Sequence, residues 1–222
     1  MKLAVTYAKT GLARFISHRD LIRVIFRALS RARIPVEFSR GFNPHPRVEF
    51  CPPLGVGMEG WAEEFEARLK EALEPGAASE LLNRFFPAGI RAHSALLREQ
   101  DEPGLSRRLK GVRYLLRPGS LLLPSEEDLA RFMARSEYPF TRLTAAGEKR
   151  LDLRRGLLRA VREQDGLGLD FDLSSGGRPR LVLAALCGKD EEELAGVPIT
   201  RTGFIPEKTG VFTRNSPARK RK

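Results

Sequence analysis

Between Ser17 and Pro35 the apolar residues Leu21, Val24, Ile25, Ala28, Leu29 and Ala32 recur three and four apart, a spacing that makes one buried stripe only on an amphipathic helix. Ser17 stands as N-cap with Asp20 three residues on, and Pro35 stops the run that spans Leu21 to Ile34. On either side the period changes. Lys2–Ala8 alternates weakly as a first strand, and Val36–Ser39 and Arg47–Cys51 are short extended runs around the turn-rich Gly41-Phe42-Asn43-Pro44-His45-Pro46. Gly60–Lys70 sets Trp61, Phe65, Ala67 and Leu69 against Glu63, Glu64, Glu66 and Arg68; this suits a half-buried strand, though a helix also fits. Ser79–Phe86 reads as a helix capped by Ser79 and Gly89–Leu97 as a closing strand, giving the β-α-β-β-α-β order of ferredoxin-like domains.

Residues 98–110 are polar, carry Pro103 and Gly104, and read as a boundary. Beyond them the order recurs. Val112–Arg117 is expected as a strand, Ser125–Arg135 as a helix opened by Ser125 and Asp128, and Asp152–Val161 and Leu167–Leu173 as strands. Leu181–Leu186 makes an extra strand, Asp190–Leu194 a short acidic helix and Ile199–Ile205 the last strand. The expectation is an α+β fold of two tandem ferredoxin-like (βαββαβ) domains with antiparallel sheets. They would span residues 1–97 and 111–206, with a linker at 98–110 and a basic tail at 207–222 that is disordered when unbound.

Charge narrows the partners. The net charge of +11 is not spread evenly: residues 1–50 carry +7, residues 51–100 carry −3, residues 101–213 carry +2 and residues 214–222 carry +5. Of 39 basic residues 30 are Arg, whose planar fork binds phosphate bidentately and stacks on bases. A GC-rich genome also favours Arg throughout a chain, so position rather than number must carry the argument.

Position is most informative on the first helix. Arg19, Arg23, Arg27 and Arg31 recur every four residues, and at about 100° per residue they share the face opposite the apolar stripe. Like charges at this spacing cost roughly 0.2–0.5 kcal/mol per pair, and only Asp20 lies among them. The face is either a plain solvated surface or a row of guanidinium groups about 6 Å apart that matches successive phosphates of a nucleic-acid strand. Arg33, Arg40 and Arg47 follow, and Arg219, Lys220, Arg221 and Lys222 in the tail add to the same field. RNA is the expected partner. Phe42, Asn43 and His45 beside this surface suit stacking on unpaired bases and hydrogen bonding to base edges. The plainer alternative has Phe42 plugging the core edge, Asn43 in an Asx-turn and the prolines stiffening the loop.

Other chemistry is sparse. Cys51 and Cys187 are too few for a disulfide framework or a four-cysteine metal site, and His18, His45 and His93 lack close-spaced ligand partners. No phosphate loop of the G-x4-G-K-[ST] type occurs, and no G-x-G-x-x-G run opens a helix. Neither cofactor nor metal is expected. The N-terminus lacks the apolar core of a signal peptide, and no stretch approaches the roughly 18 apolar residues of a membrane span, which points to a cytoplasmic protein without a membrane partner.

Phe15-Ile16-Ser17-His18-Arg19-Asp20-Leu21 and Phe38-Ser39-Arg40-Gly41-Phe42-Asn43-Pro44-His45-Pro46 resemble the bacterial radical-SAM-linked proteins, an uncharacterised family encoded beside, or fused to, B12-binding-type radical SAM proteins. The resemblance extends to Pro53-Leu54 with Gly57 and, more loosely, to Arg201-Thr202. It implies a radical SAM partner rather than a reaction, because the family itself has no assigned activity; separately, two cysteines cannot supply the three that hold a radical SAM cluster. The expected function is a non-catalytic RNA-binding accessory protein that presents RNA, ribosomal or transfer, to that partner, with the less basic second half docking it. Two alternatives stay open. Tandem ferredoxin-like domains resemble CRISPR RNA-processing endoribonucleases, so His18 or His45 beside Arg19 or Arg40, helped by Tyr7, could cleave RNA without metal. The third is a protein–protein adaptor whose arginines meet acidic protein surfaces.

Overall fold

A computed structural model describes residues 1–119, 123–144 and 147–207. The first half runs β1 (Lys2–Lys9), α1 (His18–Arg31), β2 (Val48–Phe50), β3 (Glu59–Arg68), α2 (Pro75–Asn83) and β4 (Ile90–Arg98). The second runs α3 (Leu105–Arg108), β5 (Leu109–Leu116), α4 (Glu126–Met133), β6 (Pro139–Thr144), β7 (Gly147–Asp152), β8 (Leu157–Glu163), β9 (Gly166–Asp172), α5 (Pro179–Cys187) and β10 (Ile199–Pro206). The fold is mixed α+β, built on one mostly antiparallel sheet in the order β4-β1-β3-β10-β5-β9-β8, with β2 also on β3 and β6–β7 forming a separate hairpin.

One edge of β3 pairs with β1, while its other edge is divided between two partners. Phe65 to Ala67 pair with β2, and Glu59 and Gly60 meet β10 in a short parallel contact, Thr200 opposite Glu59 and Arg201 opposite Gly60. That contact makes the sheet continuous across both halves. Two main apolar clusters form, one within the first half and one centred on the second half that also takes in Leu54. Leu3, Val5, Phe65 and Ala67 of the sheet pack with Leu21, Ile25, Ala28 and Leu29 of α1 and with Ala78 and Leu82 of α2. Val112, Leu116, Leu169 and Phe171 pack with Leu129 and Phe132 of α4 and with Leu181 to Ala184 of α5.

Local chemistry explains where the elements begin and end. Ser17 caps α1, its hydroxyl accepting from the Asp20 N–H at 3.2 Å, and Ser125 with Asp128 forms a reciprocal capping box on α4. The second helix does not start at Ser79: Pro75 occupies its first turn and the Glu74 carboxylate caps it from Gly76 and Ala77, so Ser79 lies inside the helix. Leu181–Leu186 is helical rather than extended. Pro179 opens α5, Gly188 in the left-handed region closes it, and four of its residues from Leu181 to Ala184 are buried, so an unbroken apolar run carries no period to tell strand from helix. The expected helix at Asp190–Leu194 is a series of turns. The expected strand Asp152–Val161 is two strands: the Asp152 carboxylate accepts from the Tyr138 and Arg154 N–H groups at 2.8 and 2.9 Å and breaks the run between β7 and β8.

Candidate nucleic-acid interface

Ser17, Leu21, Ile25 and Pro35 between them fix how α1 sits, and its outer face follows. With Leu21, Ile25, Ala28 and Leu29 buried, Arg19, Arg23, Arg27 and Arg31 are all exposed on the opposite side. Arg23 pairs with Asp20 at 3.0 Å and the Arg27 Nε donates to the Arg23 carbonyl at 3.3 Å. The Ser17 hydroxyl and then Arg23 hold the Asp20 carboxyl below its ordinary range, so this acid stays ionised. The side chains of Arg19 and Arg31 make no ion pair or hydrogen bond with a described residue. The ridge is therefore positive along its length.

At the end of α1 the chain turns through a Schellman motif: the Ile34 N–H reaches the Leu29 carbonyl at 3.0 Å and the Arg33 N–H reaches that of Ser30 at 3.1 Å. The residue at the left-handed position of this motif is Arg33, with φ 53°, where glycine is the usual occupant. Among the described residues it is the one non-glycine with positive φ. The fold thus holds an exposed arginine at a position that disfavours any side chain.

The next segment is a finger with a fixed base. Glu37 and Arg47 are tied to each other and to the end of β3 by backbone hydrogen bonds of 2.8–2.9 Å. Ser39 and His45 then clip the finger shut: the Ser39 N–H donates to the His45 carbonyl at 2.9 Å, the His45 N–H donates to the Ser39 hydroxyl at 3.1 Å, and that hydroxyl lies 2.9 Å from His45 Nδ1. His45 therefore spends one ring nitrogen and its backbone on shaping the loop. Beyond the clip Arg40, Gly41, Phe42, Asn43 and Pro44 project into solvent, and Gly41 takes the φ of +128° that the tip needs. Phe42 is fully exposed at 106%, so it does not plug the core. Arg47 is exposed and pairs with Glu37 at 3.4 Å. Phe38, which opens the second motif block, is half exposed at the finger's base, opposite Pro46, with the Lys70 ammonium 5.9 Å from its ring centroid.

Arg19, Arg23, Arg27, Arg31, Arg33, Arg40, Phe42, Asn43, His45 and Arg47 thus lie along one helix face and the loop that follows it, all exposed. Arg219, Lys220, Arg221 and Lys222 lie outside the described residues.

His18 is placed differently. It opens α1, partly buried edge-on against Phe50 with ring centroids 6.0 Å apart, while His45 lies beyond the other end of β2. Burial, then the charges of Arg201 and Lys9, hold its imidazole below the ordinary histidine range, so it is neutral at pH 7. The two histidines do not converge on one site. Among the described residues no three His, Cys, Asp or Glu side chains gather as metal ligands would, and no helix is long and apolar enough to cross a membrane.

Behind His18 lies a buried polar cluster that linear sequence did not reveal. Arg201 of β10, Glu63 of β3, and Lys9 and Tyr7 of β1 are each about 1% exposed. The Arg201 guanidinium grips both Glu63 oxygens and the Pro52 carbonyl, the last at 2.8 Å. The Lys9 ammonium donates to the carbonyls of Ile16 at 2.9 Å and Arg14 at 3.4 Å, anchoring the turn that leads into α1. Burial pushes the Tyr7 hydroxyl and Cys51 thiol well up, so neither ionises near neutrality and neither is a reactive nucleophile. Gly60 is needed here, since a Cβ on it would sit 2.4 Å from the Glu63 carboxylate. The cluster is buried and joins the two halves.

Residues 2–188 match the profile of a bacterial family described as an uncharacterized protein conserved in bacteria, DUF2344. No curated protein matches the chain.

Proposed function

The chain belongs to this uncharacterised bacterial family, and we propose that it is a cytoplasmic RNA-binding accessory protein that presents RNA to a radical SAM partner enzyme. The observation that carries the RNA reading is the exposed arginine face of α1, Arg19 through Arg31, followed in the chain by the exposed Arg33 and the exposed Phe42 finger. Guanidinium groups on the helix meet phosphates, and the projecting aromatic meets an unpaired base. Arg33 supports this: an arginine stands at a turn position that disfavours side chains, directly after the α1 arginine face. The buried polar cluster and the separated histidines favour a binding role over cleavage. The partner rests on the two motif blocks that resemble the radical-SAM-linked proteins, now placed at the start of α1 and at the finger.

Each half repeats one strand order, β4-β1-β3-β2 and β10-β5-β9-β8, which supports reading the chain as tandem ferredoxin-like units with the β6–β7 hairpin inserted in the second. Labelled total RNA incubated with the purified protein tests the function. Retention without cleavage, lost with its salt dependence on charge reversal at Arg23 and Arg27, is the expected result. Unchanged affinity in that variant would remove the arginine face as the binding surface, and failure to bind any radical SAM protein of the same cell in a pull-down would remove the partner.

A further inference from the structure

The second half is close to neutral by count, yet the fold collects part of its arginine at one place. A groove of about 610 Å³ lies along the seam between the halves, lined by Arg14 from the turn before α1, Arg117 just past β5 and Arg180 on α5. Its one lining carboxylate, Glu59, is already engaged, accepting from the Gly11 N–H at 2.9 Å and lying 3.8 Å from Arg14. Neither Arg117 nor Arg180 pairs with a carboxylate among the described residues. The Arg180 Nε is buried without a hydrogen-bond partner, which leaves a charged donor desolvated and unsatisfied.

The same groove presents flat apolar surface. Phe15, half exposed, carries the Arg14 guanidinium 4.7 Å from its ring centroid, and the exposed Val56 lines the same groove. Arg117 stands 5.0 Å from the ring centroid of Trp61. The walls are held from behind: buried Lys9 anchors the turn bearing Arg14 and Phe15, and the Gly57 N–H donates to the Arg14 carbonyl at 2.9 Å. The volume falls in the range of small-molecule sites, roughly 300–1,000 Å³.

We propose that this groove is a second anion site that takes a nucleoside 5′-monophosphate, its phosphate on Arg117 and Arg180 and its base against Phe15. Guanidinium forks bind phosphate oxygens bidentately, and a base has a flat apolar face to lay against the half-exposed Phe15 side chain. The nucleotide is either free or the 5′-phosphorylated end of an RNA chain. None of the α1 arginines lines this groove, and the proposal does not depend on their RNA binding.

Calorimetric titration of the full chain with nucleoside 5′-monophosphates tests the assignment, with emission from Trp61, the sole tryptophan, as a second reading. Saturable binding is expected, weakened at least about tenfold by Arg180→Met and by Arg117→Met and partly restored by Arg180→Lys. Preference for a 5′-phosphorylated over a 5′-hydroxyl oligoribonucleotide, lost in Arg180→Met, assigns the groove to an RNA end; mononucleotide binding without that preference assigns it to a free nucleotide. Folding of each variant is checked by its melting temperature, and Arg180→Lys serves if the methionine variant fails to fold. Absence of Arg180-dependent binding in both arms overturns the proposal. Loss of mononucleotide binding on charge reversal at Arg23 and Arg27 also overturns it, because the nucleotide would then sit on α1.

Discussion

Arg201 and Glu63, 138 positions apart in the chain, face each other across the parallel contact of β10 with β3, the Arg201 Nε donating to Glu63 Oε1 at 2.8 Å with both side chains about 2% exposed. The pair does more than neutralise itself. The same guanidinium reaches the Pro52 carbonyl, so it fastens β10, β3 and the loop after β2 at one point. Glu63 keeps Arg201 fully protonated against the burial that opposes its charge.

Removing either partner leaves the other charged and buried, which costs about 3–5 kcal/mol. Glu63→Leu and Arg201→Met are each expected to lose that much in urea denaturation. The double variant is expected to lose clearly less than the sum, because no uncompensated charge remains. Additive losses would mean that the two side chains act independently.

How much of this was readable from sequence depends on distance along the chain. The buried stripe and arginine face of α1 were legible because both sit within one helix, where spacing alone decides the face. The turn-rich block around Phe42 was legible as a loop, but its Ser39–His45 clip was not, since nothing in the pattern says which loop residues close on each other. Leu181–Leu186 was misread because six apolar residues in a row have no period; Pro179 and Gly188 were the better signals. The Arg201–Glu63 pair and the Arg14–Arg117–Arg180 groove were invisible because segment totals average over residues that meet only in the fold.

Each phosphate contact on single-stranded RNA contributes about 0.7 to the slope of log affinity against log salt. Arg19→Gln, Arg27→Gln and Arg31→Gln should each lower that slope by about this amount in filter-binding assays. Arg23→Gln should lower it less, since Arg23 is already paired with Asp20. Equal slopes in all four variants and the parent would place the phosphates elsewhere.

Phe42 touches solvent over its whole surface, so Phe42→Ala should leave the melting temperature unchanged. Stacking of a base on an aromatic ring is worth about 1–3 kcal/mol, so the same variant should bind single-stranded RNA roughly 5- to 150-fold more weakly while duplex binding stays as it was. Comparing the two ligands separates stacking from charge.

His18 and His93 are both held below the ordinary histidine value, by burial first, then by Arg201 and Lys9 for His18 and by Arg91 for His93. The unfolded chain then binds more protons just below about pH 6.5, so stability is full above that value and falls as pH drops through the window toward the folded-state values. Glu63 works against the shift at His18. Melting temperatures taken from pH 7.5 to 5.5 should decline less steeply in His18→Gln and least in the variant that also carries His93→Gln.

Arg33 gives the sharpest separation of stability from binding. At φ 53° in the Schellman turn after α1, an arginine pays the Cβ–carbonyl crowding that glycine escapes, about 1–2 kcal/mol. Glycine also gains freedom in the unfolded chain, which offsets part of this. Arg33→Gly should therefore raise stability by about 1 kcal/mol in urea denaturation. If Arg33 extends the phosphate track, the same change should weaken RNA binding and lower its salt slope by about 0.7. Asn, which tolerates the left-handed region without supplying charge, should reproduce the binding loss with a smaller gain in stability. A variant more stable and equally tight would show that the turn tolerates Arg33 without using it.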